Sequence, residues 1–255
     1  MSAPERMVEE AAERAFGDLA AKWREGKIRR EEMVEALEAL GFGEALPSWP
    51  DAAAILRAQA RAAAPVDMAL LMLERDRAAS IAYDPDRYDG KGVAPKASDA
   101  QALALCRLAQ VSGAMQAMLE LALGYVQDRK QFGRPLAAFQ AIQHQLAVAA
   151  EEIAACTVAA DLALGRRTPG LIDAAAVVAS RAVDVVYDAC HQVHGAIGFT
   201  REYALHRHSL DIQRWRDELL ALRGGELAAA ERLGDAALAA GGVWRAVTGL
   251  TTEKT

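Results

Sequence analysis

Hydrophobic positions recur along most of this chain with helical spacing. From Pro4 to Trp23 the apolar stripe runs through Val8, Ala11, Ala15, Phe16 and Leu19, and from Arg29 to Leu40 through Met33, Leu37 and Leu40, where Gly41 ends it. Ser48-Trp-Pro-Asp51 is a helix opening, with Asp51 as N-cap for a helix to Ala63, and Pro65 opens a fourth to about Leu73. The stretch from Ser80 to Lys96 breaks the pattern with two prolines, two glycines and no sustained period, so it predicts a linker.

Beyond it the helices lengthen. Ser98-Asp-Ala-Gln101 has the form of a capping box and opens a helix to Asp128. Pro135 starts a second to Gly165, Thr168-Pro169 a third to about His194, and Thr200 or Arg201 a fourth through Leu222. Gly224-Gly225 separates a last helix from Glu226 to Ala240. Alternating runs that mark strands are hard to find. The expectation is an all-α protein: a short N-terminal helical region (1–79), a linker (80–97), a C-terminal bundle of four or five antiparallel helices (98–241) and a tail (242–255).

Composition narrows the function. The chain of 255 residues carries a net charge of −6, which disfavours binding a polyanion such as nucleic acid. The first fifteen residues hold four acidic side chains and no apolar core, unlike a secretory or transit leader. No run approaches eighteen uncharged apolar residues, so no membrane span is expected. Cys106, Cys156 and Cys190 are widely spaced within apolar patterns, consistent with buried thiols in a cytoplasmic protein.

Against that acidic background, Tyr125-Val-Gln-Asp-Arg129-Lys-Gln-Phe-Gly-Arg-Pro135 crowds Arg129, Lys130 and Arg134 around a Gly/Pro break. A planar cation, the Gln131 amide, the Phe132 ring and a flexible point at Gly133 together suit a diphosphate attached to a flat ring. The alternative is a solvated turn in which Gly133 caps the preceding helix. About fifty residues beyond His144, Gln192-Val-His-Gly195-Ala-Ile-Gly198-Phe-Thr200 sets two glycines three apart, where backbone can approach a ligand or take positive φ; an ordinary interhelical connection is the alternative. His191, His194, His206 and His208 lack the companions of a metal site, and no metal is expected. Glu151-Glu152 and Asp217-Glu218 fit solvated helix positions, and Ser112 and the cysteines have no evident base partner.

The two segments, with Phe139-Gln-Ala-Ile-Gln-His144 between them, resemble the acyl-CoA dehydrogenase family from Ser98 to about Gly225. The resemblance implies the family's C-terminal helical bundle, with a weaker and shortened first helical domain before it. It implies FAD shared across a subunit interface: Arg129 at the diphosphate, Phe132 near the cofactor, and Gln131, Gln192, Gly195 and Ala196 making polar or close backbone contacts. It also implies an acyl-CoA substrate, an electron acceptor for the flavin, and a place in lipid or steroid acyl-CoA metabolism.

Three departures follow. The family's β-rich middle domain has only the linker in its place. The α-proton base is a carboxylate in the family, yet the two positions that match are Leu103 and Leu219, with Glu218 beside the latter but offset by about 100° of helix. Ala196 replaces a family glycine, so either its φ stays negative or the approach to the ligand changes. The reading that fits is a companion subunit of a heteromeric flavoenzyme, its partner a full-length homologue. The alternatives are a reduced homo-oligomeric dehydrogenase with Glu218 as base, or a helical scaffold without flavin.

Overall fold

The computed structural model describes residues 3–42, 48–74, 77–83, 99–243 and 245. Its N-terminal helices are α1 (Ala3–Arg24), α2 (Arg30–Ala39), α3 (Trp49–Arg61), α4 (Met68–Glu74) and α5 (Arg77–Ala82). The long helices follow: α6 (Ala100–Asp128), α7 (Gln140–Arg166), α8 (Pro169–His194), α9 (Leu205–Leu222) and α10 (Glu226–Ala240). Among the described residues the extended structure is one small hairpin, β1 (Lys130–Gln131) with β2 (Arg134–Pro135).

Helix α6 is the centre because its first half is mostly apolar and buried on every face, and a helix of that kind must be covered on every side. It packs on α3, α7, α8 and α9, while α7 lies along α8, α10 covers α8, and α1 covers α3. By length and composition α6 would suffice to cross a membrane, yet 89% of its apolar window is buried among these neighbours, as in a core helix. One continuous core runs from Ala12 and Phe16 of α1 to Trp215 and Leu219 of α9, so the first helices and the bundle share their apolar interior. Small residues let the helices approach. A Cβ on Gly113 of α6 would lie 2.7 Å from the Arg57 carbonyl oxygen of α3.

Several helix starts differ from expectation. Ser48, one turn before Asp51, caps α3 by accepting from the Asp51 N–H, with Pro50 in the first turn. Asp99 caps α6 through the Ala102 N–H at 2.9 Å, while the Gln101 amide donates to the Arg167 carbonyl at 2.7 Å; Ser98 of the expected capping box lies outside the described residues. Pro65 lies in a turn before α4, where the Asp67 carboxylate accepts from the Ala69 and Leu70 N–H groups. Pro135 sits in a strand and a 3₁₀ turn (136–138) before α7, not in the helix itself. Likewise a 3₁₀ turn (195–199) delays α9 to Leu205. The linker expected from Ser80 begins with the last turn of α5 and Tyr83; its remainder, 84–97, lies outside the described residues.

A candidate cofactor-binding end of the bundle

The basic segment is a two-residue hairpin. Lys130 pairs with Pro135 and Gln131 with Arg134, and the turn residues Phe132 and Gly133 take φ of 52° and 79°. Both central residues at positive φ is the geometry that matches strand twist in a tight hairpin, and glycine supplies it without strain. Phe132 adopts it with a bulky side chain, and its ring is 90% exposed, touching the Phe139 ring edge-on at 6.2 Å. The Arg134 guanidinium lies 4.0 Å over the Phe139 ring, which fixes that cation against the hairpin's own aromatic.

Arg129 is fixed differently. Its N–H donates to the Tyr125 carbonyl at 2.9 Å and its carbonyl accepts from the Leu136 N–H at 2.8 Å, so the backbone is tied to the helix end and to the strand's far side. Its side chain is exposed, as are those of Lys130 and Gln131. This arrangement holds the base of an arginine still while leaving its five donors to a ligand.

The glycine segment lies at the same end of the bundle. Tyr125, one turn before Arg129, packs its ring 4.5 Å from that of His194, the residue before Gly195, and Tyr203 closes the group at 4.9 Å from His194 and 6.1 Å from Tyr125. Gly195 ends α8 at φ 63°, ψ −143°, a conformation open to glycine, and a Cβ there would meet nothing within 4 Å. Gly198 has another cause: a Cβ would lie 3.0 Å from His194 and 3.1 Å from Leu205, so it is a packing glycine. Ala196 keeps a negative φ, the first of the two options its sequence left open. Gln192, Gly195 and Ala196 are exposed, with Ile197 and Phe199 beside them at 41% and 58% exposure.

The histidines serve the packing behind this loop. The His191 Nε2 shares a hydrogen bond of 2.7 Å with Ser209, its ring lies between Tyr187 and Phe199, and burial pushes its pKa down to about 4. His194 Nδ1 is 2.6 Å from the Cys190 carbonyl, and burial lowers its pKa also. Both rings are therefore neutral near pH 7.

Glu218 is placed elsewhere, in a buried ion cluster. Its Oε2 lies 2.7 Å from Arg107 Nε, outside hydrogen-bond geometry, and Arg107 also holds Asp67 by paired contacts of 2.9 and 2.7 Å. Arg107 continues to Gln110, and Gln110 to Gln59. Burial pushes the Glu218 carboxyl up, and the Arg107 guanidinium offsets this only in part. The side chain is 12% exposed and faces a cation, which gives it a structural partner where a general base needs an open face. Leu103 and Leu219, near which the resemblance implies a base, are fully buried. The Asp67–Arg107–Glu218 cluster escaped the sequence reading, although one signal for it was present: an arginine in the middle of an otherwise apolar helix stretch, Leu105-Cys-Arg107-Leu108.

The structure is thus a mainly helical domain with an exposed basic hairpin at one end. Residues 91–216, just under half of the chain, match the acyl-CoA dehydrogenase C-terminal domain, and this part of the chain is a domain of that family. Acyl-CoA dehydrogenase IpdE2 of Mycobacterium tuberculosis is 33% identical over 112 residues, 44% of this chain and 35% of that protein. A probable acyl-CoA dehydrogenase, YngJ of Bacillus subtilis, is 37% identical over 106 residues, 40% of this chain and 28% of that one. The chain thus matches about a third of the length of these curated relatives. Among solved structures, the Mycobacterium tuberculosis ChsE4-ChsE5 complex superposes with a TM-score of 0.70 at 16% identity, over 92% of this chain and 97% of that one. A Tcur3481-Tcur3483 steroid acyl-CoA dehydrogenase variant gives 0.69 at 21%, over 91% and 97%; both likenesses establish the fold.

Proposed function

We propose that this chain is a companion subunit of a cytoplasmic, heteromeric acyl-CoA dehydrogenase, holding the ADP half of an FAD whose ring is seated by a fuller homologous subunit. The observation that carries the reading is the meeting, at one end of the bundle, of an exposed Arg129 on a fixed backbone with the bare backbone at Gly195. The Tyr125–His194–Tyr203 ring group joins them. One structural neighbour is the ChsE4-ChsE5 complex and another carries the paired name Tcur3481-Tcur3483, which supports a heteromeric reading by analogy.

On this reading Arg129 binds the diphosphate through paired N–H donors, with Lys130 adding a point charge. Phe132 offers an exposed ring face, Gln131 and Gln192 offer amides, and Gly195 and Ala196 allow close backbone approach. The flavin, when bound, supplies the hydride acceptor for α,β-dehydrogenation of an acyl-CoA thioester. The base that removes the α-proton belongs to the partner subunit, because Glu218 already faces Arg107. The acceptor that reoxidises the flavin is a separate electron carrier.

The test is co-expression with a full-length homologue and measurement of flavin per complex. Arg129→Ala is expected to weaken flavin retention about tenfold, the value of one charge-assisted hydrogen bond, with little change in melting temperature. Flavin content and turnover equal to wild type would leave the scaffold reading in its place. A yellow protein purified alone that is bleached by acyl-CoA, and that loses the bleaching in Glu218→Gln, would favour the self-sufficient enzyme.

A further inference from the structure

Tyr203, whose ring closes the group behind the glycine loop, also lines a second concavity of about 190 Å³. Its other walls include Arg24 from the end of α1, Arg201 and Glu202 from the turn before α9, and Arg207 and His208 from the first turn of α9. Three arginines from separate stretches of an acidic chain thus line one small space. Among the described residues Arg24 and Arg201 form no ion pair, and the one carboxylate lining the space is that of Glu202. Arg207 is held in place by its guanidinium lying 4.7 Å over the Trp23 ring.

Arg24 feels the charge of Arg207 and in turn acts on His208. Burial and then the charge of Arg207 lower the Arg24 pKa, while burial and then Arg24 push His208 down to about 4. His208 is 5% exposed, and its Nδ1 is buried without a hydrogen-bond partner. Arg24 and Arg201, without an ion pair of their own among the described residues, set like charges in one concave place, which costs stability unless an anion relieves them. The volume suits a phosphate group and is too small for a whole nucleotide, with the Tyr203 ring at its wall.

We propose that Arg24, Arg201 and Arg207 form a second anion site, distinct from the hairpin, that takes a phosphate group of a nucleotide-type ligand. Two sources share this chemistry, coenzyme A and the ADP half of a dinucleotide. The site does not depend on the hairpin reading, because none of its residues belongs to the hairpin or to the Gln192–Ala196 loop.

The test uses the full chain carrying Arg129→Ala and Lys130→Ala, which removes the two hairpin cations assigned to the diphosphate. Calorimetric titration at low ionic strength is done with pyrophosphate, ADP, coenzyme A and dephospho-coenzyme A. Saturable binding of pyrophosphate is expected, about tenfold weaker or more when Arg24→Ala and Arg201→Ala are added and largely kept in the Arg24→Lys, Arg201→Lys version. Both residues are exposed to solvent or in a surface turn, so circular dichroism melts should match and separate lost binding from lost folding. Coenzyme A binding well above dephospho-coenzyme A assigns the site to a 3′-phosphate; equal binding of these two and ADP assigns it to a diphosphate. Absence of saturable binding, or affinity unchanged by the double alanine variant, overturns the proposal, and neither result bears on flavin retention by the hairpin.

Discussion

Asp211 of α9 is fully buried, with one carboxylate oxygen accepting from the Tyr83 hydroxyl and the other without a partner. Burial raises its pKa to about 7, with the Tyr83 hydrogen bond and the Arg214 charge opposing. The folded state therefore binds a proton that the unfolded chain releases near pH 3.9. The stability this gives is fully present below about pH 4 and lost as pH rises through about 7. His191 and His208 act oppositely in part of that window: their folded values near 4 lie below the unfolded 6.5, so their contribution is present above 6.5 and lost as pH falls. The two trends partly cancel in the wild type. Asp211→Asn should isolate the first: relative to wild type, the variant gains stability between pH 5 and 8 as measured by urea unfolding, and a difference independent of pH would refute the assignment.

At the scale of elements, the long helices were legible because each carries its own period and its own stop signal, whereas the short α5 was not foreseen and runs into the expected linker. The hairpin was not. Arg129 to Pro135 has no alternation long enough to mark strands, and Gly133 followed by Pro135 looks the same whether it caps a helix or turns a hairpin. What decides is that the Leu136 N–H returns to the Arg129 carbonyl, a pairing across the turn that sequence spacing does not encode. The two glycines of the 195–198 loop show the same division: one is required by φ and the other by its neighbours. Gly113 is a third kind, set by a helix crossing. Gly113→Ala would press a methyl against the Arg57 backbone, which cannot rotate away as a side chain would, so a loss of about 1–3 kcal/mol in urea unfolding is expected. An unchanged midpoint would show that α3 and α6 can separate freely.

Over the whole molecule, the buried Asp67–Arg107–Glu218 cluster ties the start of α4, the first third of α6 and the end of α9 into one interior. Arg107→Ala would leave two carboxylates in an apolar core, one of them pulled below its usual range by that guanidinium against the opposing push of burial. The expected cost is about 3–5 kcal/mol, read by chemical denaturation. Acid pH should shrink this cost as Asp67 and Glu218 take up protons. The sequence by itself determined the helical class, the order and approximate span of the long helices, and the residues of the candidate cofactor end, because periodicity, caps and a charged motif are written locally. Only the tertiary structure decided that Arg129 and Gly195 share one end of the bundle, that Glu218 faces Arg107, and that Arg24 meets Arg201 and Arg207. Each of those joins positions tens to well over a hundred residues apart, and such meetings depend on how the helices pack, which the local pattern leaves open.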